Sequence, residues 1–272
     1  MTPYMMMLVF QEKHGFDVMV DKGIKNWIEK FFVLPNSDRI PVLETYFCAE
    51  SLEKIKRSML NYTKNDPNLT EGELLEMKNR GIVVNLWPEG SEEEASYWVP
   101  DSILVSYGSM IRNEFIFKPE YQEYVDKMLG ALKNSEKSGK DVVFVGMHAR
   151  RTDYVAYSKK ILKKSVAGRS YYLEGIEYFE EEFPEEKLFF LAVSDDMSWM
   201  KKHFGGVEGV VLAGTQLTGT GNDLDPIGVD LCILSSSNHS IISNGQFGLW
   251  GSFLASGDIY SSYGPLIRSS LI

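Results

Sequence analysis

Cysteine and histidine are scarce in this chain of 272 residues. There are two cysteines, Cys48 and Cys232, and four histidines, His14, His148, His203 and His239. One cysteine in each half offers neither a disulfide framework nor a metal-binding spacing. Cys232 falls in an apolar helical pattern and is expected to be a small core residue. The histidines show no HxxxH or HExxH spacing, so metal catalysis has no support. Long hydrophobic runs are missing too. The apolar stretch Met5 to Phe10 has six residues, whereas a membrane span needs roughly 20. No basic flank or cleavage site marks a signal peptide. Positive charge is short overall, with 28 Lys and Arg against 38 Asp and Glu and a formal net charge of −10. That balance argues against nucleic acid as a partner. No CxxC, GxSxG, Walker-type loop or Ser-His-Asp order is present.

What remains is the composition of a folded chain, 44% hydrophobic and 24% charged, long enough for one large or two modest domains. Its organising stretch runs from Asp141 to Tyr154. The apolar run Val142 to Met147 reads as a strand buried on both faces. It ends in His148, Arg150, Arg151 and Asp153, groups expected to leave the core. Adjacent arginines are costly to bury unless something anionic meets them. Charge at the carboxyl end of a strand is where open α/β sheets hold ligands. Guanidinium forks match phosphate oxygens, although a structural ion-pair role fits the same residues. From Arg150 to Arg169 there are seven cations against one acid, Asp153. This basic island on an acidic chain suits a small anionic ligand.

The first 137 residues are mixed. Helices are expected at 24–32 and 49–62, strands at 81–87 and 103–109, and a helix from Pro119 with Tyr121, Val125, Met128 and Leu132 on one face. The polar stretch Asn134 to Lys140 reads as a linker between domains at 1–137 and 141–272. Beyond it the pattern is regular. Strands are expected at 142–147, 188–193, 210–212, 240–243 and 258–260, and helices at 171–182, 197–203, 226–237 and 247–255, the last stopped at Gly257. Asp196 caps the helix at 197, and Asp225-Pro226 opens the next. Alternation of this kind predicts a doubly wound parallel sheet.

Three turns at the carboxyl edge of that sheet carry chemistry. One holds His148, Arg150, Arg151 and Asp153. The second holds Ser194, Asp195 and Asp196. The third runs Asn244, Gly245, Gln246, Phe247, Gly248 into a helix, whose free N–H groups and glycines suit a phosphate. Two arginines and a helix amino end at one sheet edge would clamp a diphosphate. Asp195 is either a cap neighbour or a ribose or base contact. Asp230, in an otherwise apolar helix, faces water or a buried partner. Trp199 and Trp250 are expected in the core. No DxD triplet for a divalent metal is present; Asp223 and Asp225 fit by letter alone.

The segment His148 to Tyr154 resembles the HxRRxDY motif of the α-1,2-fucosyltransferases. In the same order, Leu191 to Trp199, Asp230 to His239 and Ile241 to Gly257 resemble later segments of that family. Tyr107 to Ser109 and Phe115 to Pro119 echo its upstream strand and FxFxP-like stretch. The resemblance implies an α/β, GT-B-like architecture of two Rossmann-like domains, the amino one incomplete here. It implies inverting, metal-independent transfer of L-fucose from GDP-fucose, with no cofactor, to the 2-hydroxyl of a terminal galactose on a glycan acceptor. Arg151 would hold the β-phosphate, with Arg150 and His148 shaping the loop. The turn Gly245, Gln246, Phe247, Gly248 would take the other phosphate oxygens, and Asp195 would lie near the nucleoside. Asp153 is the nearest candidate base, with orientation of Arg150 as its alternative role.

Two features depart from the family. Position 246 is usually a small hydroxyl residue and is Gln here. The family's LGNQ-like glycine-rich loop and membrane anchor are not present, which leads to the expectation of a shortened chain with a strained amino half and low activity. Family members reside in the Golgi membrane. The triplets beginning at Asn61 and Asn68 are glycosylation sequons, consistent with a lumenal protein. A catalytically silent GDP-fucose-binding or interaction protein, and a protein O-fucosyltransferase, are the rival readings.

Overall fold

The computed structural model describes residues 1–43, 60–61, 84–85, 101–216 and 219–262, which fall in two compact units, Met1–Ile116 and Phe117–Ile272. The division lies ahead of the linker expected at 134–140. The helix from Pro119 groups with the carboxyl unit because it packs on a helix there: Gln122 Nε2 donates to Ser236 Oγ at 3.3 Å.

In the amino unit the helix Thr2–His14 carries Pro3 in its first turn and ends at Gly15, left-handed at φ 63°. It buries Tyr4, Met5, Leu8, Val9 and Phe10. A second helix, Lys22–Ile28, starts at the Asp21 cap and is shorter than the helix expected at 24–32. The strand expected at 103–109 is part of a helix, Asp101–Glu114. Its β-branched start misleads, but Gly108, Ile111 and Glu114 are all buried, a helical repeat that the shorter window hid. Glu114 is a buried carboxylate satisfied by three donors. Tyr4 Oη donates at 2.9 Å, Asn36 N at 3.1 Å and Asn36 Nδ2 at 2.8 Å. Leu60–Asn61 and Val84–Asn85 form a parallel pair. Residue 61 therefore ends in a strand, not in the helix expected at 49–62. The rest of that helix, Cys48 and Asn68 lie outside the described residues.

The carboxyl unit has the expected architecture. In chain order its elements are α1 (Pro119–Ser135), β1 (Val142–Ala149), α2 (Thr152–Tyr157), α3 (Arg169–Glu182), β2 (Lys187–Ser194), α4 (Met197–Phe204), β3 (Val210–Leu212), α5 (Pro226–Ser235), β4 (His239–Ile242), α6 (Gln246–Ala255) and β5 (Ile259–Ser261). All pairings in the five-stranded sheet are parallel, in the order β3-β2-β1-β4-β5. The direction of winding reverses between β1 and β4, and ligands of such sheets sit outside the carboxyl ends at that point.

Side chains of β1 alternate between two helical layers. Val145, Met147 and Ala149 join a core with Tyr172, Ile176 and Phe179 of α3 and Met197, Met200 and Phe204 of α4. Gly146 and His148 point the other way. A Cβ at Gly146 would meet Leu234 near α5, and His148 abuts Gly248 of α6. The expected caps hold: Asp196 accepts from Trp199 N at 2.9 Å, and Asp225 from Ile227 N at 2.9 Å. At the end of α6 the left-handed residue is Ser256 rather than Gly257, whose α-carbon lies against the Asn238 carbonyl with no room for a side chain. Cys232 is buried, and burial pushes its thiol up to about 12. No helix of the described residues is long and apolar enough to cross a membrane.

Candidate functional site

His148 does not leave the core as expected. It is the seventh residue of β1 and only 3% exposed. Its ring lies tilted against Phe247, with centroids 5.3 Å apart, and a Cβ at Gly248 would lie 2.6 Å from its Nδ1. Burial, opposed by the Asp195 charge, lowers its pKa to about 4. The imidazole is thus neutral at pH 7, which is why the strand tolerates it. His148 ties β1 to the turn after β4: Ser243 N donates to its carbonyl at 3.3 Å.

Past His148 the alternation of β1 continues into the arginines. Arg150 lies on the α6 side. Its backbone N donates to Ser243 Oγ at 3.2 Å, and a Cβ at Gly245 would sit 3.5 Å from its Cγ. The guanidinium pairs with Asp195 at 2.5 Å and with Asp153 at 2.6 Å. Arg151 turns to the α4 side. Its Cζ lies 4.1 Å over the Trp199 ring, its Nη1 donates to the Ala167 carbonyl at 3.1 Å, and its Nε is buried without a partner. The two adjacent cations therefore serve opposite faces of the sheet.

Asp195 organises this turn. Its Oδ1 accepts from Arg151 N at 2.7 Å, while Oδ2 accepts from Arg150 and from the Thr152 hydroxyl. Gln216 locks the segment from behind: its Nε2 donates to the Asp195 carbonyl at 2.8 Å and its Oε1 accepts from Met197 N at 2.6 Å. Asp153, 75% exposed at its side chain, holds the outer edge of Arg150. Opposite, Gly245 has φ 97° and ψ 153°, a backbone region open essentially to glycine alone. It lets the chain turn from β4 into α6, so that Gln246, Phe247 and Gly248 form the helix's amino end.

The structure thus brings His148, Arg150, Asp153, Asp195 and the 245–248 turn together at the junction of β1 and β4. Arg151 belongs to the same turn by its backbone but sends its guanidinium away. Sequence reasoning missed Ser243, Thr152 and Gln216, polar residues whose side chains meet partners 19 to 93 positions distant, with no local signature. It also placed Trp199 in the core. Trp250 is there, 4% exposed, and Trp199, half-buried, packs on the core through Tyr172 and Phe204 on one side and lines a cavity on the other. The signal was its position in the first turn after Asp196, at the same sheet edge as the arginines.

That cavity has a volume of about 710 Å³ and is lined by Arg151, Lys159, Lys163, Lys164, Arg169 and His203, together with Val155, Trp199 and the 165–168 loop. Among the described residues no three His, Cys, Asp or Glu side chains cluster as metal ligands would. Asp230, whose surroundings were open, is half-buried and accepts from Thr215 N at 2.8 Å.

The family model for glycosyl transferase family 11 matches residues 100–261. Among curated proteins, galactoside alpha-(1,2)-fucosyltransferase 1 of Saimiri boliviensis boliviensis is 30% identical over 148 residues, 54% of this chain and 38% of that protein. Galactoside 2-alpha-L-fucosyltransferase Sec1 of Mus musculus is 32% identical over 149 residues, again 54% and 38%. Galactoside alpha-(1,2)-fucosyltransferase 2 of Hylobates lar is 31% identical over 150 residues, 54% and 40%. The chain thus spans about two fifths of the length of the curated relatives it matches. A crystal structure of POFUT1 in complex with GDP-fucose aligns with a TM-score of 0.37 at 12% identity, covering 84% of this chain and 79% of that one. The model match takes in every element from α1 to β5 and more than half of the chain, and the protein belongs to glycosyl transferase family 11.

Proposed function

We propose that this protein transfers L-fucose from GDP-fucose to the 2-hydroxyl of a terminal galactose, with inversion and without a metal. The observation that carries the reading is the junction of β1 and β4, where the Arg150 turn faces the glycine-bounded amino end of α6. A diphosphate there meets a guanidinium on one side and the positive end of the α6 dipole on the other. The similar galactoside alpha-(1,2)-fucosyltransferases support fucose as the sugar and the 2-hydroxyl of galactose as its acceptor.

In this reaction the galactose hydroxyl attacks the anomeric carbon from the face opposite GDP. The new C–O bond forms as the bond to the β-phosphate oxygen breaks. The hydroxyl proton passes to a carboxylate, for which the exposed Asp153 is the candidate on this turn. The negative charge that grows on the leaving diphosphate is stabilised by Arg150 and the α6 amino end, in place of a cation. Asp195 acts one step back: it holds both the Arg150 side chain and the Arg151 backbone in place. For this reading a Golgi compartment follows from the family resemblance alone.

The test is calorimetry of the chain with GDP, GDP-fucose and UDP-galactose, followed by nuclear magnetic resonance of the product formed on lactose. The expected result is binding of both guanosine nucleotides in preference to UDP-galactose, and a fucose linked to position 2 of galactose. Equal affinity for all three nucleotides, or fucose on another hydroxyl, overturns it.

A further inference from the structure

The basic cavity on the α4 side is unexplained by a diphosphate held on the α6 side. Its lining contains five cationic side chains, Arg151, Lys159, Lys163, Lys164 and Arg169, and no carboxylate. Where these cations bond at all, they bond to carbonyls. Arg151 donates to Ala167 O, Lys163 Nζ to Lys160 O at 2.7 Å and Arg169 Nε to His203 O at 3.1 Å. None takes part in an ion pair among the described residues. A carbonyl positions a cation without neutralising it, so the cavity keeps its positive charge. Clustered like charges repel, and the repulsion is relieved by an anion in their midst. Arg151, one of the lining residues, also has its Nε buried and unpartnered.

We infer that this cavity seats a negatively charged group carried by the acceptor, a sulfate or carboxylate on the galactose-terminated sugar, and so makes the enzyme selective for acidic galactosides. The inference rests on the donor reading above. Three features separate this occupant from the donor. The cavity contains no residue of the 243–248 turn, so the two anion-attracting places lie on opposite sides of the arginine turn. Each has its own arginine, because the alternation of β1 sends Arg150 one way and Arg151 the other. The volume falls in the range of ligand pockets, about 300–1,000 Å³, which is room for a sugar unit with its substituent. Trp199 adds an apolar wall beside the cations, as a sugar ring with one charged arm requires. A polymer such as nucleic acid does not fit a concave site on a chain of net charge −10.

The test titrates the full chain at low ionic strength with lactose, lactose 3′-sulfate, a galactoside carrying a carboxylate, and GDP. It compares wild type with the double variant Lys159→Gln/Lys164→Gln, which removes two rim charges. The expected result is that wild type binds at least one anionic sugar about tenfold more tightly than lactose. That advantage shrinks several-fold in the variant and in about 0.5 M salt, while lactose and GDP affinities stay within about twofold. The two anionic sugars tell sulfate from carboxylate. Equal binding of neutral and anionic sugars overturns the inference, as does an advantage the variant retains in full. A loss of GDP affinity in the variant overturns it too, because the cavity would then be the donor's. If the anionic sugars behave as expected and GDP does not bind at all, the donor reading fails and the cavity assignment stands.

Discussion

Arg150 and Asp195 meet at 2.5 Å across the carboxyl ends of β1 and β2, and the same carboxylate accepts from Arg151 N. One acid therefore fixes the direction of the first arginine and the backbone of the second. Asp195→Ala removes one of the two carboxylate partners of Arg150, whose side chain is 31% exposed. It should destabilise the carboxyl unit by about 1–3 kcal/mol, below the full figure for a buried pair because solvent screens part of the charge. GDP affinity should fall with it. Asp195→Asn keeps one acceptor and should lie between. Urea unfolding and GDP titration of both variants check this, and wild-type values in Asp195→Ala would show the pair to be incidental.

The arginines should separate in function. Arg150→Ala is expected to weaken GDP binding by about 1.5–3 kcal/mol, the range for hydrogen bonds to charged groups. Arg150→Lys should recover little, since an ammonium does not span two oxygens. Arg151→Ala should cost GDP affinity less, because its guanidinium lies over Trp199. Calorimetry that ranked Arg151 above Arg150 would place the diphosphate on the α4 side instead.

Gly248→Ala should be felt at once. The added carbon would lie 2.6 Å from His148 Nδ1, nearer than non-bonded atoms approach, so the buried ring or the helix must shift. Overpacking of this kind costs about 1–3 kcal/mol, so a lowered Tm is the expected result. Full-strength folding with unaltered GDP affinity would mean that the turn yields freely.

Transfer activity is expected to persist in EDTA, because Arg150 and the α6 amino end supply the charge that a metal supplies in other transferases. An assay that lost activity in EDTA and regained it with manganese would refute that division of labour.

Much of the carboxyl unit could be read in the sequence, because its strands are short apolar runs and its helices are capped at Asp196 and Asp225, signals that act within a few residues. The amino unit was less legible. Ile103 to Val105 looks like a strand locally, and only the repeat through Gly108, Ile111 and Glu114 shows the helix. The turn's residues were legible and its pairings were not. Asp195 meets Arg150 across 45 positions and Ser243 meets it across 93, and such contacts are made by strand order rather than by local pattern. The opposite directions of Arg150 and Arg151 follow from β1 alternation carried two residues past its end.

The pH dependence of stability should contain two opposed contributions that single variants can uncover. His148 has its pKa lowered from 6.5 to about 4 by burial. Between those values the unfolded chain binds the proton and the folded chain does not, so stability rises with pH and the contribution is complete above about 6.5. Asp230 has its pKa raised from 3.8 to about 6, again by burial, with the Thr215 bonds opposing. Between those values the folded chain holds the proton and the unfolded chain does not, so stability falls as pH rises. Each span is roughly two units, on the order of 2–3 kcal/mol, and between pH 4 and 6 the two slopes largely cancel in the wild type. Asp230→Asn removes the falling contribution and should leave a protein that loses stability more steeply than wild type as pH drops from 6.5 to 4.5. His148→Asn removes the rising one and should lose less, or gain. Every other titrating group is common to the three proteins and drops out of the differences. Urea unfolding at half-unit steps between pH 4.5 and 7 measures the three profiles. Parallel curves would mean that neither group is held away from its ordinary pKa, and that His148 enters the strand for a reason other than its neutrality.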